Sequence, residues 1–358
     1  MIGNSDRYMQ INQVKLIHSS IEKYYISKDT SMVIKGIAIL LMIVHHMFTF
    51  PNWIIGGYEP NLLFAMYFNV PTRICVGMFA FITGWAFCIQ EKRRIKDIFR
   101  KILSFYIMYW IVFIILLLFA CVICGYKPDL IVLLPEILGL ANDFMKFCWY
   151  VPFYAVALIV MFLIYKLLDR SLVCAIVSGL VFPTVLFLVL EMVISFKILA
   201  DLVNDLKHYF PCIAVGYICN KYNIFGVIHR YTYRINQSIL FAVAFALTFA
   251  SRYYIRAFDF IYSPIIVYGI ANLCDSKYRC KMILTLQMVL KKLGMQATNI
   301  WFIHCAIFCN ATRTYIQPYI YLSSNALINL LVAMFSLYVC SSILTVLDKC
   351  ILRKIGLN

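Results

Sequence analysis

Charged side chains are scarce in this sequence. They make up 13% of its 358 residues, while hydrophobic residues make up 63%. An average soluble domain is roughly half apolar and about one quarter charged. The shortage of charge therefore excludes an ordinary soluble domain. It predicts an all-α fold, a polytopic bundle of helices in a membrane.

Acidic side chains are especially few, since 16 Asp and Glu stand against 32 Lys and Arg and the net charge is +16. Such a balance first suggests nucleic-acid binding, but the positions of the basic residues explain it better. With a cytoplasmic N-terminus, 23 of the 32 Lys and Arg fall in cytoplasmic segments and only 7 in outer segments. This is the positive-inside bias of membrane proteins. We therefore expect both termini in the cytoplasm and no nucleic-acid partner.

Three further features are missing. No small-residue cleavage site follows the first apolar run, so we expect that run to remain as a transmembrane helix. No internal repeat is evident, which argues against a transporter built from inverted repeats. No soluble catalytic domain is evident either. We predict a cytoplasmic lead over 1–30, one transmembrane domain over 31–347 and a cytoplasmic tail over 348–358.

Apolar stretches of about 17–25 residues, long enough to cross a bilayer, predict about ten transmembrane helices. An even number agrees with termini on one side of the membrane. A basic loop between about 274 and 296 is predicted to hold a surface helix over MILTLQMVLKKLG. The predicted spans lie near 31–50, 65–90, 100–124, 146–167, 172–194, 205–220, 237–254, 256–273, 297–318 and 324–347.

The fourteen cysteines do not form an evident disulfide framework, because most of them lie in apolar spans. Free cysteine in such places behaves as a small hydrophobe. Cys121 and Cys124 form a CxxC, but neither a second pair nor a nearby histidine completes a zinc site. The adjacent His45 and His46 point about 100° apart on a helix and chelate poorly together. We expect no metal.

Two polar residues lie inside the first span, MVIKGIAILLMIVHHMF, where Lys35 and His46 are eleven residues apart. At about 100° per residue, eleven steps return to within about 20° of the starting direction, roughly 16 Å along the axis. We expect Lys35 and His46 on one stripe and His45 on another face. A buried cation in lipid marks a functional path by default. The plain alternatives are a snorkelling lysine and a structural histidine hydrogen bond.

Three residues of the second and fourth spans are candidates for substrate contact. Arg73 begins the second span, where an interfacial anchor is the alternative. Thr83, in FAFITGW, places a hydroxyl in the bundle beside a glycine that lets helices approach closely, which packing alone also explains. Trp149 opens the fourth span, where it could stack on a sugar or belong to an aromatic belt.

Three later residues join this set. His304, in ATNIWFIHC, lies about 10 Å into the ninth span, and its alternative is again a structural hydrogen bond. Arg252 and Arg256 are one helical turn apart, and Asp259 follows three residues later. Together these charges could line an outer mouth that holds a polar acceptor, or they could cap two helix ends.

Taken in order, four segments resemble the bacterial membrane acyltransferases called acyltransferase family 3, especially those that O-acetylate surface polysaccharides. The first is the opening helix IKGIAILLMIVHHMF, with a basic residue, ten residues and then histidine. The others are FAFITGW followed by a basic loop, the Trp149-Tyr150 start of the fourth span, and IWFIH late in the chain. The resemblance covers nearly the whole chain, and its first segment is the most specific.

The sequence departs from the family's pattern at three places. Lys35 stands where the family often has arginine, and Thr83 stands where it often has serine, so the charge and the hydroxyl are kept. The paired arginines of the loop after the second span are not clean, because Asp97 lies between Arg94 and Arg100 at the same three-residue spacing.

The resemblance implies an acyl-CoA donor, commonly acetyl-CoA, that enters from the cytoplasm, and an acceptor hydroxyl on a glycan or lipid-linked glycan. It places the protein in a bacterial cytoplasmic (inner) membrane. His46 fits the general base, since an imidazole with a pKa near 6.5 suits neutral pH. The predicted donor-binding residues are Lys35, Arg94 and Arg100, which can meet CoA phosphates. The predicted substrate-binding residues are Arg73, Thr83, Trp149, Arg252, Arg256 and His304.

No Ser or Cys with an evident partner base is present, so direct transfer is simpler than an acyl-enzyme, although a covalent intermediate on His46 stays open. The main alternative function is a transporter, flippase or polymerase for lipid-linked glycans. These proteins usually need repeat symmetry or a large outside loop, which this chain lacks. A membrane sensor without chemistry is a second alternative, and it leaves the Lys35–His46 stripe unexplained.

Overall fold

The computed structural model describes residues 23–55, 70–90, 93–255, 257–275 and 281–357. Within these ranges the chain is helical and contains no strand, which confirms the all-α fold. The helices are α1 Lys28–Thr49, α2 Ile74–Ile89, α3 Ile95–Val122, α4 Leu130–Ile137, α5 Tyr150–Leu168, α6 Leu172–Val193, α7 Lys197–Lys221, α8 Ile224–Thr232, α9 Gln237–Tyr254, α10 Asp259–Asp275, α11 Lys281–Met295, α12 Ala297–Phe308, α13 Arg313–Ile320 and α14 Ala326–Lys354.

Six helices of the described chain are long and apolar enough to cross a membrane by themselves, namely α1, α2 extended back to Val70, α3, α5, α6 and α14. The pair α8 and α9 makes a seventh candidate, bent by 120°, and α12 is a shorter apolar helix. The predicted count of about ten spans is not confirmed. Helices do lie at the remaining predicted positions, but the first half of α7 carries Lys, Asp, Asn and His, and α10 has only 17 residues.

Helix α1 begins where local chemistry favours a start. Ser27 is its N-cap, and the Ser27 hydroxyl accepts a hydrogen bond from the Thr30 backbone N–H at 3.0 Å. Asp29 in the first turn complements the positive end of the helix dipole. The helix then runs unbroken to Thr49 and contacts α2, α10, α11, α12 and α14. Helix α1 therefore lies at the centre of the bundle.

Reciprocal glycines bring two pairs of helices into backbone contact. A methyl group on Gly84 of α2 would overlap the carbonyl of Ile213 of α7, and one on Gly216 of α7 would overlap the carbonyl of Phe81. Gly36 of α1 and Gly294 of α11 are related in the same way. Small residues are the usual means of close helix approach in membranes. The predicted packing role of the Thr-Gly segment in FAFITGW is confirmed.

The outward faces of the long helices are apolar. Leu118 of α3, Val193 of α6 and Phe335 of α14 are 59%, 72% and 72% exposed. Many similar side chains lie beside them, and so large an apolar surface is expected on a protein surrounded by lipid rather than by water. The polar groups are instead gathered between helices or at helix ends, and the candidate site is one such group.

Candidate functional site

A cavity of about 180 Å³ lies at the end of α1 that carries His46. Four segments enclose it: the last turns of α1, the start of α2, the residues just before α5, and α12. The lining residues are Met42, His45, His46, Phe50, Arg73, Cys75, Val76, Phe147, Trp149 and Trp301. Imidazole, guanidinium and aromatic groups thus face one another in a largely apolar surround.

His46 is held by two rings that come from distant parts of the chain. Its imidazole stacks on the Phe147 ring, with centroids 3.8 Å apart and planes 13° apart. Its Nδ1 lies 2.9 Å from Nε2 of His304, and the two imidazoles are nearly parallel at 6°. His304, predicted as a substrate contact, is fully buried and contacts His46 directly.

Phe147 adopts an unusual backbone conformation to make this contact. Its φ is +68°, in the left-handed region that non-glycine residues seldom occupy. The Trp301 indole Nε1–H donates to the Phe147 carbonyl at 3.1 Å. Such strain persists only where the surrounding structure determines it, and it is common at functional sites. The residue therefore acts as a rigid wall for the His46 ring.

A buried carboxylate fixes the segment that carries Phe147. Glu136 is fully buried, and its carboxylate accepts hydrogen bonds from the backbone N–H groups of Asp143, Phe144 and Met145 at 2.6, 2.8 and 3.1 Å. Three such bonds satisfy the lone pairs of a carboxylate that would be costly to bury alone. The hydroxyl of Tyr109 donates to the Glu136 carbonyl. The chain from 143 to 149 is thereby tied to α3 and α4.

His45 does not face away from this site. His45 and His46 both line the cavity, although neighbouring positions on a helix point about 100° apart. The cavity surrounds the end of α1 widely enough to include two neighbouring positions. His45 makes a different contact, however, with its Nδ1 lying 3.0 Å from the Thr49 hydroxyl one turn later. The two histidines therefore have distinct partners.

Arg73 connects this cavity to a second one of about 370 Å³. The second cavity is lined by Arg73, Asn204, Asp205, His208, Tyr209, Ala257, Phe258 and Asp259. The Arg73 guanidinium lies 6.0 Å from the Tyr209 ring centroid, and Tyr209 stacks on Trp149 at 5.5 Å. Arg73 and Trp149 thus lie together between the two cavities, and their role as substrate contacts stays a prediction.

Lys35 is half-buried on the same unbroken helix as His46. No described residue forms a hydrogen bond or an ion pair with its ammonium group. It is not among the lining residues of the His46 cavity. Charged residues inside a membrane usually have a partner, and Lys35 has none among the described residues. Its role in donor binding stays a prediction.

Thr83 also lies outside the lining of that cavity. Its hydroxyl donates to the Phe79 carbonyl one turn earlier at 2.9 Å and also lies within hydrogen-bonding reach of the Tyr150 side chain. Thr83 therefore contacts the base of α5, next to Trp149. A substrate role for Thr83 and a tunnel lined by Lys35, His46 and Thr83 stay predictions.

Arg252 is committed to a buried ion pair. Its guanidinium donates two hydrogen bonds, of 2.6 and 3.0 Å, to the Asp259 carboxylate and a third, of 2.7 Å, to the Val70 carbonyl. Arg252 and Asp259 are 2% and 4% exposed, so the pair joins the ends of α9, α10 and the second span. This geometry favours the helix-end alternative for Arg252. Arg256 lies outside the described residues, and its role stays a prediction.

The loop arginines predicted to bind the donor have partners of their own. Arg94 forms a bidentate pair with Asp97 at 2.9 and 3.1 Å on the surface, and Arg100 donates to the Gly356 carbonyl. Neither lines the His46 cavity. Their role in donor binding stays a prediction.

Arg93, beside them, is partly buried. It donates to the Asp169 carboxylate at 2.8 Å and to the Cys88 carbonyl at 2.9 Å. Burial raises the pKa of Asp169, but hydrogen bonds from Lys221, Tyr217 and Arg93 outweigh that effect and hold its pKa below the usual range. This cluster fastens the ends of α2, α5 and α7 on the side opposite His46.

Sequence reasoning found His46, Arg73, Trp149 and His304 but missed Phe147, Trp301 and Tyr209. These three side chains are aromatic, and aromatic residues are too frequent here, at 16%, to stand out. Trp301 lies in the quoted IWFIH segment, three residues before His304, so its spacing was the available signal. Among the described residues, no group of three or more His, Cys, Asp or Glu side chains is placed to hold a metal ion.

One comparison with known proteins gives a match. The family model described as "Acyltransferase domain", that of acyltransferase family 3, matches residues 32–347, nearly the whole chain. The match begins just before Lys35 and includes the three histidines of the site, His45, His46 and His304. No curated protein and no solved structure matches the chain.

Proposed function

The chain belongs to acyltransferase family 3, and from this premise we propose that it is a membrane O-acyltransferase. It moves an acyl group, most simply acetyl, from cytoplasmic acyl-CoA to a hydroxyl of a surface polysaccharide or its precursor. The observation that carries the proposal is the placement of His46. One ring nitrogen of His46 is held by His304, and the ring lines a cavity beside Arg73 and Trp149.

The reaction is direct transfer. The nitrogen of His46 that is not bonded to His304 accepts the proton of the acceptor hydroxyl, and the oxygen attacks the thioester carbonyl. The tetrahedral intermediate carries negative charge on the former carbonyl oxygen, and Arg73 is the nearby cation that can stabilise it. When the carbon–sulfur bond breaks, the CoA thiolate leaves and His46 returns its proton. The products are an O-acyl ester and CoA.

The donor approaches from the Lys35 end of α1. Helix rise puts Lys35 about 16 Å from His46, while the pantetheine arm of CoA is a long, flexible chain with its thioester at the tip. The Lys35 ammonium has no partner among the described residues, and such a group suits a phosphate as a point charge. Lys35 therefore holds the phosphates of CoA while the thioester reaches His46.

The acceptor enters through the second cavity. Its polar lining mixes a carboxylate, an amide, an imidazole and a guanidinium, which together can donate to and accept from sugar hydroxyls. Asp205 has no hydrogen-bond or ion-pair partner among the described residues. Tyr209 and Trp149 add an aromatic surface on which a sugar ring can lie. The second cavity therefore suits a glycan that presents many free hydroxyl groups.

The protein works in a bacterial cytoplasmic membrane with both termini in the cytoplasm. The 23-to-7 division of basic residues over the predicted spans supports this orientation. The two cavities joined by Arg73 then lie towards the outer side. Donor and acceptor arrive by opposite mouths and meet at His46.

Transfer from labelled donor tests the proposal. Purified protein in liposomes is given acetyl-CoA labelled in the acetyl group together with the polysaccharide of its own host. We expect label on the glycan that is released by mild alkali, as an O-acetyl ester is, and none with His46→Gln. Label on a different molecule would change the acceptor, and the absence of any acyl product with several acyl-CoA donors would contradict the proposal.

A further inference from the structure

The carbonyl of Trp301 fixes the protonation of His304. Helix α12 is interrupted at His304, and the carbonyls in the last turn of a helical segment have no partner within that segment. The Trp301 carbonyl instead meets Nδ1 of His304. A carbonyl oxygen can only accept a hydrogen bond, so Nδ1 must carry the proton. In a neutral imidazole, Nε2 of His304 is then the unprotonated nitrogen.

That assignment determines the tautomer of the next ring. Nε2 of His304 lies 2.9 Å from Nδ1 of His46. Since Nε2 of His304 can only accept, Nδ1 of His46 must donate, and the proton of the neutral His46 ring is on Nδ1. Nε2 of His46 is therefore bare, with a lone pair available to take a proton. The opposite arrangement would set the lone pair of His304 Nδ1 against that of the Trp301 carbonyl.

The rings have little freedom to leave this arrangement. His304 is 0% exposed, and the two imidazole centroids are 4.9 Å apart with planes 6° apart. Phe147 stacks on His46, and the Phe308 ring meets both imidazoles edge-on at 6.3 and 6.2 Å. A ring flip in either histidine would break one of the two hydrogen bonds. The chain from Trp301 to His46 is therefore a fixed relay of donors and acceptors.

We propose that His304 is a positioning residue that holds His46 as its Nδ1–H tautomer, with Nε2 as the base. It has a second effect during transfer. When His46 takes the acceptor proton, its Nδ1–H becomes part of a cation and its bond to His304 becomes charge-assisted and stronger. The gain appears only as the reaction proceeds, so it raises kcat rather than tightening substrate binding. The catalytic part of this inference rests on the proposed acyl transfer.

Two substitutions at position 304 separate positioning from packing. His304→Gln offers a side-chain oxygen near the place of Nε2, whereas His304→Phe keeps an aromatic ring and removes the acceptor. We expect His304→Phe to lower kcat at least about tenfold, within the range that general-base catalysis supplies, with KM for acyl-CoA within about twofold. His304→Gln should recover most of kcat. His229→Phe, which removes a histidine hydrogen bond to Asn272 outside the site, is the matched control and should leave kcat unchanged.

If the Gln and Phe variants lose kcat equally, or if kcat and KM move together in both, His304 is only a packing residue and the proposal fails. Folding of each variant is checked by its elution from size-exclusion chromatography. If His304→Phe does not fold, the comparison of His304→Gln with the unsubstituted protein still decides, because a pure packing role predicts a loss without rescue.

A spectroscopic test needs no activity. The full chain, labelled with ¹⁵N at its six histidines, is placed in lipid bilayers at mildly alkaline pH, and His46→Gln assigns the His46 signals. We expect protonated Nδ1 and unprotonated Nε2 for both His46 and His304. A protonated Nε2 on His46 would overturn the inference even if acyl transfer is observed. Conversely, the expected tautomers without any acyl transfer would refute only the proposed function.

Discussion

Two adjacent histidines line one cavity, and their different contacts predict different roles in the reaction. The His46 ring stacks on Phe147 and forms a hydrogen bond with His304, while His45 forms a hydrogen bond with Thr49 on its own helix. We predict that His46→Gln lowers kcat by about 10²–10⁴, the usual share of a general base, and that His45→Gln costs less than about tenfold. Initial rates at equal amounts of folded protein measure this. Equal losses at both positions would remove His46 from the role of sole base.

The charge of Lys35, which has no partner in the described part of the chain, gives a second prediction. Lys35→Met removes the ammonium and should raise KM for acyl-CoA, while KM for the acceptor stays constant because the acceptor enters elsewhere. Lys35→Arg keeps the charge and should retain much of the activity. Kinetics with one substrate varied at a time distinguish the two constants. A change confined to the acceptor would place Lys35 at the wrong substrate.

At this scale the sequence was informative wherever a helix repeats regularly. The phase of α1 predicted that Lys35 and His46 share one face of the helix, and both are half-buried on that unbroken helix. The function of this stripe stays a prediction. Phe147 could not be predicted in the same way. Its contact with His46 joins segments about one hundred residues apart and depends on a left-handed backbone at φ +68°. Sequence reasoning on a single chain has no rule for such a pairing.

Helix pairing offers a prediction at the scale of elements. Gly84 and Gly216 each lie against a backbone carbonyl of the partner helix, so a methyl group at either must push α2 and α7 apart. We expect Gly84→Ala and Gly216→Ala to destabilise the fold by about 1–3 kcal/mol or more, as overpacking does. Thermal unfolding in detergent measures the loss. Ala86→Leu, on the exposed face of α2, is the control, and a similar loss there would mean that added bulk alone is harmful.

Elements were predicted better than their contacts. The helix predicted over MILTLQMVLKKLG is confirmed as α11, but its Gly294 packs directly on the backbone of α1 near Met32. The charges of that segment suggested only a surface location. The sequence does not show which helix packs against Gly294. The interruption of α12 at His304 could not be predicted either, because the segment contains no proline or glycine, the residues that usually mark a helix break. That break is what frees the Trp301 carbonyl for the relay.

For the whole molecule, composition predicted a membrane bundle of helices. Four segments, taken in chain order, predicted the family, and the match over residues 32–347 confirms the family. The number of spans was less accessible. A helix buried inside a bundle needs no continuous apolar surface, so α7 and α10 carry polar residues at helix positions that lipid would exclude. Hydropathy predicts the helices that contact lipid. The prediction of spans is therefore less accurate for helices that are surrounded by protein.

Sidedness is the prediction that concerns the whole chain. The distribution of basic residues puts the start of α3 in the cytoplasm and the segment between α4 and α5 outside. Ile95 and Asn142 are exposed in these two places. In a background depleted of cysteine, Ile95→Cys should react with a membrane-impermeant thiol reagent only from the cytoplasmic side, and Asn142→Cys only from the outer side. Retained acyl transfer confirms that both variants are folded. Reaction of both cysteines from the same side would overturn the topology, and with it the arrival of donor and acceptor at His46 from opposite sides of the membrane.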